Sequence, residues 1–185
     1  EENKMGERTQ ALITVKYGNS KTKVSVSIHY QWGYGRFMLM DVLNQGIYLI
    51  NKAYDLRDES REELAKGIFD RSTGVINFVT YESGVSAYDE TGFGGRYEPY
   101  QETIEDVMKF SDNNDGYAHL EMVFDENGFS LDDKTRLRLF DFEGQQIGLN
   151  KFCESGKEFA TKDFIKGYRL LLENYGINLE EESVK

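Results

Sequence analysis

The chain has 185 residues, 39% hydrophobic and 14% aromatic, and a formal net charge of −11. That length fits one ordinary domain able to bury roughly 70% of its unfolded surface, and twelve Tyr, twelve Phe and one Trp exclude an acidic disordered chain. The single cysteine, Cys153, excludes an intramolecular disulfide framework and a cysteine-rich zinc site, and fits a reduced compartment.

Residues 1–7 are expected to fray. Ala11 to Tyr17 and Lys23 to Trp32 flank the turn residues Gly18-Asn19-Ser20, and the second run alternates Val24, Val26, Ile28, Tyr30 and Trp32 with Ser25, Ser27, His29 and Gln31. Period two on both sides of a glycine turn predicts a hairpin. Phe37, Met40, Leu43, Ile47, Ile50 and Tyr54 recur at three- and four-residue steps, predicting a helix with one buried stripe. Gly46 within it weakens it by about 1 kcal/mol relative to alanine. A shorter helix is expected over Ser60 to Phe69, a strand over Gly74 to Tyr81, a glycine-rich aromatic loop over Gly84 to Tyr100, and a helical turn or two over Thr103 to Phe110.

After the turn Asn113-Asn114-Asp115-Gly116, Tyr117 to Phe124 and Thr135 to Phe142 read as an antiparallel pair joined by the acidic loop Asp125 to Asp133. Phe164, Ile165, Tyr168, Leu171, Leu172 and Tyr175 mark an amphipathic helix with Gly176 as its stop signal, and residues 178–185 are expected to fray. No repeat or linker divides the chain. The pattern predicts a single α+β domain over 1–185, an antiparallel sheet with helices mainly on one face.

No apolar run reaches membrane-span length; the longest, Phe37 to Ile50, is broken by Asp41, Asn44, Gln45 and Gly46. The amino terminus, Glu-Glu-Asn-Lys, lacks the basic-then-apolar order of a secretory signal, so the expected location is the cytoplasm.

Charge is polarised along the chain. Between Tyr97 and Lys134 eleven carboxylates face one base, Lys109, whereas Arg8 to Tyr54 carries six bases against Asp41. Such a negative block repels nucleic acid and attracts basic protein surfaces, including grooves that hold a phosphate backbone. Asp112, Asp115, Asp125, Glu126, Asp132 and Asp133 are the candidate partner-binding acids. Set against this, a charged face also serves solubility alone.

Asp112-Asn113-Asn114-Asp115-Gly116 fails the calcium-loop register: counted from Asp112, position six is Tyr117 and position twelve is Val123, so no metal is expected. Gly92-Phe93-Gly94-Gly95-Arg96 lacks the Gly-Lys-Ser/Thr of a phosphate loop, and no cofactor is expected. His29 and His119 sit on predicted strands, and adjacent hairpins would bring them with Glu121 onto one face as an acid–base cluster. Exposed strand histidines are the bland alternative. In Tyr30-Gln31-Trp32-Gly33-Tyr34-Gly35-Arg36, Tyr34 and Arg36 form a candidate contact site, against the plainer reading of a turn into the helix.

The strings Ala-Leu-Ile-Thr-Val-Lys-Tyr-Gly-Asn and Val-Ser-Ile-His-Tyr-Gln-Trp-Gly-Tyr-Gly, followed by an apolar helix and the strand His119 to Phe124, resemble small proteins encoded by phages and mobile elements of Gram-positive bacteria. Gly35 and Arg36 depart from the proline and acid frequent there. With the acidic, compact character, the resemblance implies an anti-CRISPR protein of the bacterial host's cytoplasm, engaging Cas9 or its guide RNA complex, whose nucleic acids lie in positively charged channels. Two other readings stand beside it: a nuclease acting on guide RNA or other nucleic acid, using His29, His119 and Glu121, and an immunity protein neutralising a basic toxin. The oligomeric state is open.

Overall fold

The computed structural model describes residues 8–18, 21–30, 36–72, 76–80, 85–89, 98–100, 115–131, 133–154 and 162–181. Among them nine strands form one sheet: β1 (Thr9–Tyr17), β2 (Lys21–Tyr30), β3 (Ile76–Thr80), β4 (Val85–Asp89), β5 (Glu98–Tyr100), β6 (Tyr117–Phe124), β7 (Arg136–Phe140), β8 (Gln146–Ile147) and β9 (Asn178–Glu180). The described helices are α1 (Met38–Leu56), α2 (Arg61–Arg71), α3 (Leu149–Glu154) and α4 (Lys162–Asn174). The fold is α+β, as the alternation of periods predicts. The strand order is β5-β4-β3-β2-β1-β6-β7, and β8 and β9 share the outer edge of β7.

The sheet is mixed where antiparallel pairing was expected throughout. β1 and β2 form the predicted hairpin, and β6 and β7 the predicted antiparallel pair, but β1 joins β6 in parallel and so does β7 with β9. β9 also corrects the expected fraying from residue 178. Two strands, β4 and β5, lie within the stretch expected as a loop. The expected helix over 103–110 lies outside the described residues, as do 92–96 and Trp32.

Period two sorts β1, β2 and β6 into two faces. One face carries Ile13, Val26, Ile28, Leu120 and Met122, all fully buried against the helices in a single apolar cluster. Burial of this kind stabilises by about 25 cal/mol per Å² of apolar surface. The buried side of α1 is rotated from the predicted stripe: Leu39, Val42, Leu43, Leu49 and Ala53 face inward, while Met40 and Tyr54 are exposed. Gly46 explains the rotation. It sits directly against β6, where a Cβ would stand 2.9 Å from Leu120 Cδ2. The glycine that costs helix propensity lets the helix settle onto the sheet.

Helix ends follow local chemistry. Before α2, Ser60 N–H donates to Glu63 Oε2 (2.9 Å) and Glu63 N–H to Ser60 Oγ (3.1 Å), a reciprocal capping box. After α4, Gly176 N–H bonds Glu173 O (3.2 Å) and Ile177 N–H bonds Leu172 O (2.9 Å), and the buried Ile177 and Leu172 complete a Schellman stop. At the end of α1 the carbonyls of Leu56 and Arg57 receive Lys23 Nζ at 2.8 and 2.6 Å. No described helix is long and apolar enough to cross a membrane.

Candidate functional site

The parallel β1–β6 register makes neighbours of the two hairpins, setting Leu12 beside His119 and Thr14 beside Glu121. With β2 and β7 flanking, the sheet face opposite the apolar cluster gathers Thr14, Ser25, Ser27, His29, His119 and Glu121. All six are buried, with Ser25 at 0% and His29 at 9% exposure. The bland expectation of exposed strand histidines is therefore corrected: both are buried, on strands that are paired along both edges.

The two histidines share the face without meeting. His29 is in register with Gln10, and Gln10 with Tyr117, whereas His119 is in register with Leu12, and Leu12 with Ser27. Two strand spacings and a two-residue offset put their Cα atoms about 12 Å apart. Among the described residues no group of three His, Cys, Asp or Glu side chains is placed to hold a metal ion.

His119 lies within a hydrogen-bonded chain. Arg138 donates to its Nδ1 at 2.8 Å, and its Nε2 lies 3.0 Å from Thr14 Oγ1, which is 3.1 Å from Ser25 Oγ. Because a guanidinium only donates, Nδ1 accepts, so Nε2 carries the proton and donates to Thr14. Burial and then the Arg138 charge push the imidazole down to about 3. His119 is thus neutral at physiological pH, with both nitrogens engaged. A general acid or base needs a pKa near the working pH and access to substrate, and this ring has neither.

Glu121 is equally committed. Lys16 Nζ lies 2.9 Å from its Oε2 and Arg136 Nε 3.1 Å from its Oε1, and Arg136 NH1 also reaches Glu180 Oε1 at 2.9 Å. Burial alone would raise this carboxyl, but the Lys16 hydrogen bond with the Lys16 and Arg136 charges hold it below the ordinary carboxylate range. The sequence-predicted acid–base cluster is brought onto one face, and there it is knitted into the sheet.

Arg36 corrects the proposed contact site. It is 2% exposed, and its guanidinium donates to Phe152 O (3.1 Å) and Asp115 O (2.9 Å) and lies over the Phe152 ring, 4.7 Å from the centroid. It ties the start of α1 to α3 and the start of β6, with its backbone at φ 69°. Tyr34 lies outside the described residues.

Among the described residues, the acids of the block are spread along the molecule. Asp115 and Asp125 flank opposite ends of β6, a strand of 8 residues that spans about 23 Å at strand rise. Asp115 Oδ2 accepts Arg8 N–H at 2.9 Å, and Asp125 Oδ1 accepts Asn127 and Phe129 N–H at 2.7 and 3.0 Å, so both carboxylates organise local backbone. Glu126 and Asp133 are exposed, while Asp112 and Asp132 lie outside the described residues.

Two arrangements escaped the sequence reading. Tyr30 OH donates to the buried Asp41 carboxylate, which also receives Ser72 Oγ at 3.1 Å, tying β2, α1 and the end of α2 together; burial and then the Asp41 charge raise the phenol well above its usual value. No local signal marks that cluster, because its members meet only in the fold. The second had a signal. Asp125-Glu126-Asn127-Gly128-Phe129 and Asp141-Phe142-Glu143-Gly144-Gln145 share Asp-x-x-Gly, and in each the Asp Oδ1 accepts the amides two and four residues on, within 2.7–3.0 Å. Glycine at φ 86° and 78° completes these tight hairpin turns.

A scan against protein-family models, a search of curated proteins and a search of solved structures each found no match.

Proposed function

We propose that the protein works by binding a basic protein surface, as a mobile-element-encoded counter-defence protein that inhibits Cas9 by engaging Cas9 or its guide RNA complex. The observation that carries the reading is the division of its charged groups. The acid–base candidates His119 and Glu121 are buried and satisfied by Arg138, Lys16 and Arg136, whereas Glu126 and Asp133 are exposed on a chain of net charge −11. Exposed carboxylates compete for cationic channels that otherwise hold phosphates, and such attraction weakens with salt. Cas9 is the candidate target through the resemblance of the β1–β2 strings to mobile-element proteins.

The test is capture of a Cas9–guide complex on the immobilised protein over a salt series, with the guide resolved on a denaturing gel. The expected result is capture at low salt that declines as salt rises, with the guide at full length. Absence of capture at low salt, or a shortened guide, would overturn the reading.

A further inference from the structure

Resting on the binding reading above, we infer that the docking surface is the pole where the Asp125–Phe129 turn meets the carboxyl-terminal half of α1, and that its occupant is a lysine- and arginine-rich protein surface. Two aromatic side chains stand out to solvent there: Phe129 is 70% exposed and Tyr54 62% exposed. They share one surface because Gly128 packs directly on the helix; a Cβ on Gly128 would stand 2.6 Å from Tyr54 Cα. Arg57 adds a second tie, donating to Glu126 O at 3.3 Å while lying over the Tyr54 ring, 4.9 Å from its centroid.

The aromatics are held in place. Asp125 N–H bonds Phe129 O (2.8 Å), Gly128 N–H bonds Asp125 O (3.1 Å), and the Asp125 carboxylate fixes the Phe129 amide. An exposed aromatic on an ordered turn offers large contact area with little ordering left to lose, the property of interface hot spots. Charge then selects the occupant. Among the described residues of this pole, the acids Asp55, Asp58, Glu59, Asp125, Glu126 and Asp133 outnumber the bases Lys23, Lys52, Arg57 and Lys134, and Lys23 Nζ is taken up by the carbonyls of Leu56 and Arg57. Lys52 and Arg57 are already paired with Asp55 and Asp58. A basic surface therefore gains both the aromatic contact and the unbalanced carboxylates, while an acidic or phosphate-bearing partner is repelled.

The opposite pole supplies the control. Phe142, 65% exposed on the matching Asp141–Gln145 turn, has a comparable ring at the other end of the β6–β7 pair. The experiment titrates the isotope-labelled full chain with a synthetic peptide of alternating arginine and serine, and measures Cas9–guide capture for Phe129→Ala, Tyr54→Ala and Phe142→Ala. The expected result is amide shifts concentrated at Tyr54 and Asn127 to Ser130, and about tenfold weaker capture for Phe129→Ala with Phe142→Ala close to the parent. Peptide shifts centred elsewhere, or equal capture by Phe129→Ala, would overturn the surface and leave the binding reading standing. No peptide shifts and no capture would overturn both. Shifts at Phe129 that follow protein concentration without peptide would assign the surface to a second copy of the chain and overturn the basic occupant.

Discussion

The two faces of the central strands are both buried, and they are held by different physics. On the helix side, Ile13, Val26 and Leu120 are withdrawn from water by apolar contact; on the other, Ser25, Thr14, His119 and Glu121 are withdrawn almost as completely. An apolar group gains by burial itself, whereas a polar one loses its water and must recover each hydrogen bond from a neighbour. The Ser25–Thr14–His119–Arg138 chain and the Lys16–Glu121–Arg136–Glu180 ladder supply those partners. A histidine, a glutamate and hydroxyls converging on one face therefore reflect a satisfied interior here, and convergence alone does not identify catalysis.

Adjacent residues of β2 give the sharpest contrast. Ile28→Ala should cost roughly 2–5 kcal/mol in chemical denaturation, because the emptied volume lies among fully buried neighbours. Ser27→Ala, one residue back on the polar face, should cost about 1 kcal/mol, the scale of one net hydrogen bond. Equal costs would erase the distinction between the faces.

The polar face should also carry a pH dependence that the apolar face lacks. His119 binds its proton at about 3 in the folded chain and near 6.5 when unfolded, so between those values the unfolded chain holds the extra proton. Its contribution is constant above pH 6.5 and is lost as pH falls, at about 1.4 kcal/mol per unit. Glu121, with a depressed folded pKa, adds a loss only below its ordinary value of 4.5. The difference between the parent and His119→Asn in thermal melts from pH 7 to about 5 isolates this histidine from His29. His119→Asn, which retains an acceptor for Arg138, should flatten that slope. An unchanged slope would remove His119 from the account.

At the interface of the apolar face with α1, Gly46→Ala should destabilise by about 1 kcal/mol despite alanine's better helix propensity, since its Cβ would force Leu120 aside in a filled core. A stabilised variant would mean the helix has room to move. The smallest effect belongs outside both faces: Glu126→Gln with Asp133→Asn should change stability by less than about 0.5 kcal/mol while weakening partner capture.

How much of this was legible follows the range of each interaction. The β1–β2 hairpin, β6, the capping box at Ser60 and Glu63, and the Gly176 stop are written within a few neighbouring residues. The stripe of α1 was readable only to within a rotation, because its inward side is set by where Gly46 meets Leu120, more than seventy residues away in the chain. The parallel β1–β6 pairing joins residues over a hundred positions apart, as in Thr14 and Glu121. That pairing decides the fate of both histidines. Linear proximity hid the spread of the described acids, since β6 separates Asp115 from Asp125 while Glu121 points into the sheet.

The most direct measurement is the nitrogen spectrum of the His119 imidazole across a pH series. The predicted result is a neutral ring, protonated at Nε2 and unprotonated at Nδ1, unchanged from pH 8 down to about 5. A ring that titrates near 6.5, or one carrying its proton on Nδ1, would contradict the Arg138–His119–Thr14 chain and return the histidine to the list of acid–base candidates.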